Sequence, residues 1–439
     1  MKNFYLTSLG ALMAVTAVAQ EKTGFINTLE DINVYNILVE NAPQNPNIKD
    51  VPRFTLVGKD GKFYLGMGAN VKMVGDFDWG APLSNPNLFV PANLTPAEKG
   101  NRSQTLFSIG QSNLYWNFVA LPGSDNQVGL FFDINFLGTT SHPEIAIHHA
   151  YLKYRGFTAG YIVSTFTDIK ADPIAIDFAG PNAITFIRHP NIYYTYNFGK
   201  DKMWTAQLGL DMPLAETSDF TLDNKNYKEN GNAMTHGDYT KFIHQRMPDI
   251  PLFIQRAWAD HNGWFRVSAI FRDLQYRDLY KGKNEGQFGW GIKASGSTPI
   301  VGGLSFTWQG VYGKGVASYI QDLTGEGLDL VPKVNKNGSI EAGKMQTVKT
   351  WGAYGTLQYN FGKCAVWNAT YSQVRAYAPN FGGDWSGMYK YAQYITTNLI
   401  FNVSSFGQVG CEYLYGRRMN YSGQQVHDNR IMLMLNVSI

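Results

Sequence analysis

The chain has 439 residues, of which 44% are hydrophobic and 14% aromatic, and its formal net charge at pH 7 is +3. So small a positive charge, without any basic run, argues against a nucleic-acid-binding protein. No apolar stretch of about 18 residues follows the N-terminal segment, so the sequence predicts no membrane-spanning helix. The 45 glycines and abundant aromatic residues favour β-structure instead.

The first residues have the features of an export signal. Lys2 is followed by an apolar run from Leu9 to Val18 and by the small-residue site Ala17-Val18-Ala19. This pattern predicts a signal peptide at 1–19, cleaved after Ala19. Residues 20–62 form a separate N-terminal segment in which 25–38 has spacing compatible with a short helix. The prolines that follow indicate a loose linker. A partial plug and an unstructured tail both fit this segment.

Residues 63–439 contain sixteen stretches in which apolar and polar residues alternate. In the last stretch, Leu433 and Leu435 share one face, and Met434 and Asn436 share the other. This period of two predicts β-strands with one apolar face. The strands are expected near 63–74, 105–119, 127–138, 144–154, 157–167, 186–198, 203–212, 252–260, 263–277, 286–297, 301–313, 348–361, 364–378, 389–403, 405–419 and 429–439.

Short and long connections alternate between these strands. Every second gap is a short turn sequence such as Arg155-Gly156, Ser297-Thr-Pro299 or Gly362-Lys363, whereas the other gaps include the long stretches 75–104, 168–185, 213–251 and 314–347. An even number of strands with short turns at one end and long loops at the other is typical of bacterial outer-membrane barrels. We therefore predict an all-β fold, a 16-stranded antiparallel transmembrane β-barrel over 63–439, with short periplasmic turns, long external loops and residues 20–62 in the periplasm. Sixteen strands leave an aqueous lumen. A secreted β-sandwich array or propeller is the soluble alternative.

The alternation also predicts which side chains enter the lumen. In the ninth strand Phe265, Val267 and Phe271 would face lipid, which turns Arg266 and Arg272 inward. A basic residue on the lipid face would cost about 2–4 kcal/mol near the midplane. A water-filled lumen also tolerates charge without selecting by it, so a single arginine decides little. The residues assigned to the lumen by this argument are Lys72, Asp133, Arg256, Arg266, Arg272, Lys293, Glu412 and Arg418.

Two of these features bear on selectivity. Arg256, Arg266, Arg272 and Lys293 lie on neighbouring strands and predict one positive wall. The third external loop carries Asp168, Asp172 and Asp177 and would act as a constriction loop that faces this wall. A solvated external loop is the alternative. Basic side chains around a pore favour anions, so the sequence indicates a diffusion porin for small hydrophilic solutes.

Several segments resemble the DcaP-like family of trimeric outer-membrane porins. They are Gly156-Phe-Thr-Ala-Gly160 through Ser164-Thr-Phe-Thr-Asp168 to Asp177-Phe-Ala-Gly-Pro-Asn182 and Phe186-Ile-Arg-His-Pro190, Met247-Pro-Asp-Ile-Pro251 with Gln255-Arg256, Ala269-Ile-Phe-Arg-Asp-Leu274, and Gly410-Cys-Glu-Tyr-Leu-Tyr-Gly-Arg-Arg418 with Asn429-Arg430-Ile431. Gln111-Ser112 and His149-Ala-Tyr151 also match, so the resemblance spans most of 63–439.

The resemblance implies a trimer whose narrow, arginine-rich channel admits small anions such as dicarboxylates. By matching motif, Arg188, Arg256, Arg272 and Arg418 would be pore residues. The chain departs from the family pattern where Asn113 and His148 stand in place of arginines. Those changes should weaken anion preference, and His148 could make it depend on pH. The family's long N-terminal coiled coil is absent or reduced to 20–62, and the chain ends in isoleucine instead of an aromatic residue.

Two other functions fit the sequence less well. A barrel-embedded enzyme would need a Ser-His-carboxylate group, but His148 and His149 are adjacent and should point to opposite faces, and no metal spacing of histidines is present. A substrate-specific transporter would need a plug, for which 20–62 offers at most a small hatch. We therefore expect no enzymatic activity, no cofactor and no metal. The expected partners are outer-membrane lipid, lipopolysaccharide, small anionic solutes and two further copies of the chain, and not nucleic acid.

Overall fold

The structure is a computed structural model that describes residues 24–26, 32–43, 54–137, 144–218, 228–229, 232–233, 240–258, 261–335, 340–379 and 385–439. The predicted signal peptide lies outside these residues. Within them, sixteen antiparallel strands pair in sequence order, and the last pairs with the first from Asn429↔Trp79 to Ser438↔Asn70. The predicted closed 16-stranded barrel is therefore confirmed.

The barrel strands, numbered in chain order, are β1 Phe63–Trp79, β2 Ser103–Ser108 continued by Asn113–Ala120, β3 Val128–Asn135, β4 Ala146–Tyr154, β5 Phe157–Val163, β6 Arg188–Phe198, β7 Trp204–Asp211, β8 Ile250–Trp258, β9 Gly263–Asp278, β10 Lys283–Val301, β11 Leu304–Lys314, β12 Lys349–Phe361, β13 Ala365–Tyr377, β14 Tyr389–Asn402, β15 Gly407–Asn420 and β16 Gln425–Ser438. The helix α1 is Ile32–Asn41, and the 3-10 turns are Pro91–Asn93, Ile169–Ala171, Lys200–Lys202, Ala317–Tyr319 and Gln321–Leu323. Short strands outside the barrel set are Gly24–Ile26, Phe54–Val57, Lys228–Glu229, Asn232–Ala233, Thr240–Phe242, Leu330–Val334 and Ile340–Thr347.

The alternation of side chains gives the barrel an apolar outside. In β16, Leu433 and Leu435 are exposed on the outer surface, whereas Met432 and Met434 are buried inside. Successive side chains of a strand point to opposite faces, so the period of the sequence carries directly into the wall. Among the described residues there is no helix with the length and apolarity needed to cross a membrane.

The two ends of the barrel differ. One end, here called the turn end, carries short connections, and the other, the loop end, carries the long ones. One predicted turn is misplaced: β10 continues through Pro299 to Val301, and the chain reverses at Gly302-Gly303, where both residues have positive φ. Glycine adopts that conformation without strain, so the glycine pair, and not the proline, makes the turn.

The N-terminal segment is joined to the barrel at the turn end. Phe54–Val57 pairs with β1 from Phe54↔Met67 to Val57↔Tyr64, directly below the C-terminus, where Ile439 and Ala69 exchange backbone hydrogen bonds of 2.8 and 2.7 Å. The short strand therefore covers the edge of β1 that β16 does not reach. An uncovered edge would present unpaired backbone groups.

Helix α1 lies on the inner wall near the turn end. Val34 and Leu38 are buried against Val119 of β2. Asn41 donates through its Nδ2 to Asn117 Oδ1 at 2.6 Å, and Tyr151 donates its hydroxyl to the Asn41 carbonyl at 2.7 Å. The short helix expected in the N-terminal segment is present, but it begins later than the sequence pattern indicated.

Three loops from the loop end fold into the lumen. They are L1 (residues 80–102), L3 (164–187) and L6 (315–348, of which 315–335 and 340–348 are described), and apolar side chains of their described residues pack together and against the inner wall. Phe166 of L3 and Tyr319 of L6 meet edge to face at 6.0 Å, and both are buried. Loop residues thus narrow the lumen at the loop end, and open space remains beneath L3.

Candidate functional site in the barrel lumen

Loop L3 is held inside the barrel by polar side chains of the wall. Glu412 of β15 accepts hydrogen bonds from the backbone N–H groups of Ile176 and Asp177 at 2.6 and 3.2 Å. Tyr354 of β12 donates to the carbonyl of Ala171 at 2.8 Å, and Gln309 of β11 donates to that of Ala183 at 2.9 Å. These bonds place Asp168, Asp172 and Asp177, the residues assigned to a constriction loop, within the lumen.

Arg266 and Arg272 of β9 point inward, but acidic loop residues neutralise them. Arg266 contacts Asp168 at 3.3 Å. Arg272 contacts Asp249 at 2.9 Å and Asp329 at 3.1 Å, and it is only 2% exposed. Burial of a charge is tolerated when it is paired in this way. These two arginines therefore attach loops to the wall and do not face open water.

Lys293 of β10 is also covered. Its ammonium group donates to the carbonyl of Phe166 and to Thr185 Oγ1, which lies at 3.0 Å, and the residue is 2% exposed. The expected positive wall facing an open lumen is thus wrong for this part of the barrel. Asp168 lies near Lys293 and accepts a hydrogen bond from Ser295 at 2.7 Å. Burial opposes ionisation of its carboxyl, but the charges of Arg266 and Lys293 hold the pKa of Asp168 below its usual value.

Arg256 does not enter the lumen. In β8, Ile254 and Arg256 are exposed on the outer surface, and the Arg256 guanidinium lies 5.4 Å from the ring centre of Trp204. The prediction that Arg256 lines the pore is therefore wrong, because its side chain lies on the outer surface of the barrel. Both faces of β8 carry apolar residues, with Phe253 buried inside and Ile254 exposed outside, so the alternation did not decide which face is which.

Arg418 lies inside, at the loop end. Its guanidinium contacts Glu326 of L6 at 3.1 Å, donates to the carbonyl of Ala92 in L1, and lies 5.5 Å from the ring centre of Tyr389. Arg418 thus joins L1 and L6 to the wall.

A cavity of about 700 Å³ occupies the lumen beneath L3 and reaches the turn end. Lys72, His148 and Arg188 line it together with Asp172 and Asp177. Helix α1 contributes Tyr35 to the lining. Five of the residues that the sequence assigns to the site therefore line one cavity. Six others contact wall or loop residues outside this lining: Asp133, Arg266, Arg272, Lys293, Glu412 and Arg418.

Two cations of this cavity have no carboxylate in contact. Lys72 Nζ lies 3.5 Å from the carbonyl of Ile176, and the Arg188 guanidinium lies 5.1 Å from the ring centre of Phe186. Neither forms an ion pair with an acidic residue in the part of the chain that the structure describes. Their charges are therefore available to a solute in the cavity.

The Asp177 carboxyl near these cations carries less than a full negative charge. It accepts hydrogen bonds from the N–H groups of Phe89 and Ala179 and from the hydroxyl of Tyr394, at 2.9, 3.1 and 3.0 Å. Burial, and next the nearby charge of Glu412, raise the pKa of Asp177 to about 7. Near neutral pH this carboxyl is thus only partly ionised.

His148 and His149 point to the same side of the sheet, and the expectation that they face opposite sides is wrong. The pairing of β3 with β4 shifts between Asp133↔His149 and Ile134↔Ile147, which leaves His148 as an extra residue. Such a bulge turns two successive side chains to one face. Both rings contact Asp133, with Nδ1 of His148 at 2.7 Å from one oxygen and Nδ1 of His149 at 2.9 Å from the other.

Sequence reasoning missed the contribution of the interrupted strand β2. Gln111 and Ser112 lie in the break between its two parts, where Gln111 donates to the Ile176 carbonyl at 3.2 Å and Ser112 accepts from the Lys72 N–H at 2.9 Å. The Gln-Ser pair was noted only as a point of resemblance. The glycine before it, Gly110, was the available signal for a break in the strand.

Comparisons with known proteins bear on the fold. No protein-family model matches the sequence, and no curated protein matches it. Among solved structures, the outer membrane channel DcaP of Acinetobacter baumannii aligns with a TM-score of 0.68 and 17% identity, covering 87% of this chain and 99% of that chain. The anion-selective porin from Comamonas acidovorans aligns at 0.52 with 10% identity, covering 86% and 100%. A loop-deletion mutant of OmpT from Vibrio cholerae aligns at 0.51 with 8% identity, covering 85% and 99%.

These similarities establish that the chain has the fold of outer-membrane channels. The predicted resemblance to DcaP-like porins is confirmed at the level of the fold.

Proposed function

We propose that this protein is an outer-membrane diffusion porin that passes small hydrophilic solutes and prefers anions such as dicarboxylates. The observation that carries the proposal is the cavity beneath L3, where Lys72 and Arg188 lack carboxylate contacts within a barrel whose outer surface is apolar. Fixed positive charges lining a narrow aqueous passage lower the free energy of an anion and raise that of a cation. The name of the Comamonas relative, an anion-selective porin, is consistent with this preference.

The proposal places the turn end in the periplasm and the loop end outside, following the general rule for such barrels. Residues 1–19 would direct export and be removed. The apolar wall would contact lipid and lipopolysaccharide, and three copies would associate. Transport would be passive, and no catalysis forms part of the proposal.

Replacing the two free cations tests the proposal. Lys72→Gln with Arg188→Gln should lower the anion-to-cation permeability ratio measured from reversal potentials in planar bilayers under a salt gradient. A unit charge at contact distance in water contributes about 1 kcal/mol, which corresponds to at most about fivefold per charge. Arg188→Lys should retain most of the preference.

Arg256→Gln is the matched control, because it removes a positive charge from the outer surface of the barrel. It should leave the ratio unchanged. If the double variant also has the native ratio, or if the native protein forms no channel, the proposal is wrong.

A substrate-specific transporter with a small N-terminal hatch is the second candidate function. It is favoured by the position of α1 on the inner wall beside the cavity.

A further inference from the structure

The Asp133, His148 and His149 side chains form a compact group of metal-ligating atoms on the inner wall. All three residues are buried, and Asp133 is completely so. One ligand atom from each lies within 4.8 Å of the others. The two hydrogen bonds to Asp133 already direct both Nδ1 atoms toward one carboxylate.

The donor set is that of a transition metal. Two imidazole nitrogens and one carboxylate oxygen suit Zn²⁺, Cu²⁺ or Ni²⁺, and three protein ligands leave a further position for water. A metal ion between the three donors would replace the hydrogen atoms that the Nδ1 atoms now share with Asp133. Each ring would then carry its proton on Nε2.

A second observation concerns His148 alone. Its Nε2, on the side of the ring away from Asp133, is buried and has no hydrogen-bond partner among the described residues. Buried polar atoms are normally paired, so no second hydrogen bond fixes the tautomer of this ring, and its proton can move to Nε2 when a metal ion binds Nδ1. His148 also lines the cavity, which gives an ion in the lumen a route to the group.

We propose that Asp133, His148 and His149 form a binding site for a divalent first-row transition metal ion that is reached from the barrel lumen. The site exists because the bulge in β4 brings two successive histidines to the same face. Arg188 is a competing positive charge that interacts electrostatically with both histidines and with Asp133. The proposal concerns binding and stands independently of the porin function.

The first test uses tag-free, folded protein in detergent. Isothermal titration with ZnCl₂ should give one site per chain, and the electron paramagnetic resonance spectrum of bound Cu²⁺ should contain splitting from two nitrogens. The spectrum needs no variant, so it remains decisive even if a substitution prevents folding. Absence of nitrogen splitting at one equivalent of Cu²⁺ overturns the proposal.

Variants then locate the ion. Asp133→Asn and His149→Gln should each weaken Zn²⁺ binding by at least about tenfold, as expected for loss of a ligand. Arg188→Gln should strengthen it severalfold, because the competing charge is gone. His427→Gln, at an exposed histidine of β16, should leave binding unchanged. If His427→Gln abolishes binding while Asp133→Asn does not, the metal binds at the surface and the proposed site is wrong.

Discussion

Single residues decide the charge of the lumen. The sequence places Arg266, Arg272 and Lys293 on inward faces, and the structure keeps them there, but each is covered by a loop. Lys72 and Arg188, by contrast, remain open to the cavity. The face of a side chain follows from the strand period, whereas its partner is distant in sequence. Arg272 pairs with Asp249 and Asp329, 23 and 57 positions away, and Arg266 pairs with Asp168, 98 positions away.

Asp177 predicts a pH dependence. Its pKa is raised from 3.8 to about 7 by burial and by Glu412, so raising the pH from 6 to 8 adds a negative charge beside the cavity. The anion preference should therefore fall over this range, as measured by reversal potentials. Between pH 4 and pH 7 the folded state also binds more protons at this residue than the unfolded state, so its contribution to the unfolding free energy decreases as pH rises.

The control for this prediction is Asp177→Asn. The asparagine amide keeps an oxygen that can accept from the Phe89 and Ala179 N–H groups. Because the amide does not titrate, this variant should lose the part of the pH dependence that Asp177 supplies. The comparison is needed because burial also raises the pKa of Glu216 to about 7 and that of Asp322 to about 6. An unchanged pH profile in Asp177→Asn would contradict the assignment.

At the scale of elements, the regular strands were predictable and the loops were not. All sixteen strands follow from alternation and from the parity of their connections, because a wall between lipid and water imposes a period of two. The period fails where the backbone is irregular: at the His148 bulge, at the break in β2 near Gln111, and at Gly302-Gly303. Loops have no period, so the hydrogen bonds that L3 donates to Glu412 could not be derived from sequence.

The anchoring of L3 makes a prediction at the same scale. Glu412→Ala leaves the buried N–H groups of Ile176 and Asp177 without acceptors, and each such loss costs about 1–3 kcal/mol. L3 should therefore leave its position more often, giving noisier single-channel currents and faster cleavage within 164–187 by an added protease. Gln408→Ala is the matched control for cleavage, because Gln408 bonds to Asn402 and Asn436 and not to L3. Equal cleavage in both variants would exclude Glu412 as an anchor.

For the whole molecule, the barrel is a rigid frame whose interior is divided between loops and water. L1, L3 and L6 contribute an apolar core at the loop end, and α1 lines the cavity from the turn end through Tyr35. The sequence left open whether the N-terminal segment was a tail or a plug. Six of the ten residues of α1 are apolar or aromatic, but only the inner wall of the folded barrel reveals where they pack.

The position of α1 predicts that it narrows the passage. Val34 and Leu38 are its buried apolar contacts, and its polar attachments include those of Asn41, the hydrogen bond from Asn117 to the Leu38 carbonyl at 2.6 Å and that from Lys153 to the Glu40 carbonyl at 3.0 Å. The barrel strands pair with one another without α1, and Phe54–Val57 is retained to cover β1, although its other partner Gly24–Ile26 is removed with the helix. Deletion of residues 20–43 should then raise single-channel conductance, and Asn41→Ala, which weakens only the attachment, should give brief excursions to the higher level. If the deletion protein folds and its conductance equals that of the native protein, α1 does not obstruct the path, and the hatch is excluded while the proposed passage beneath L3 stands.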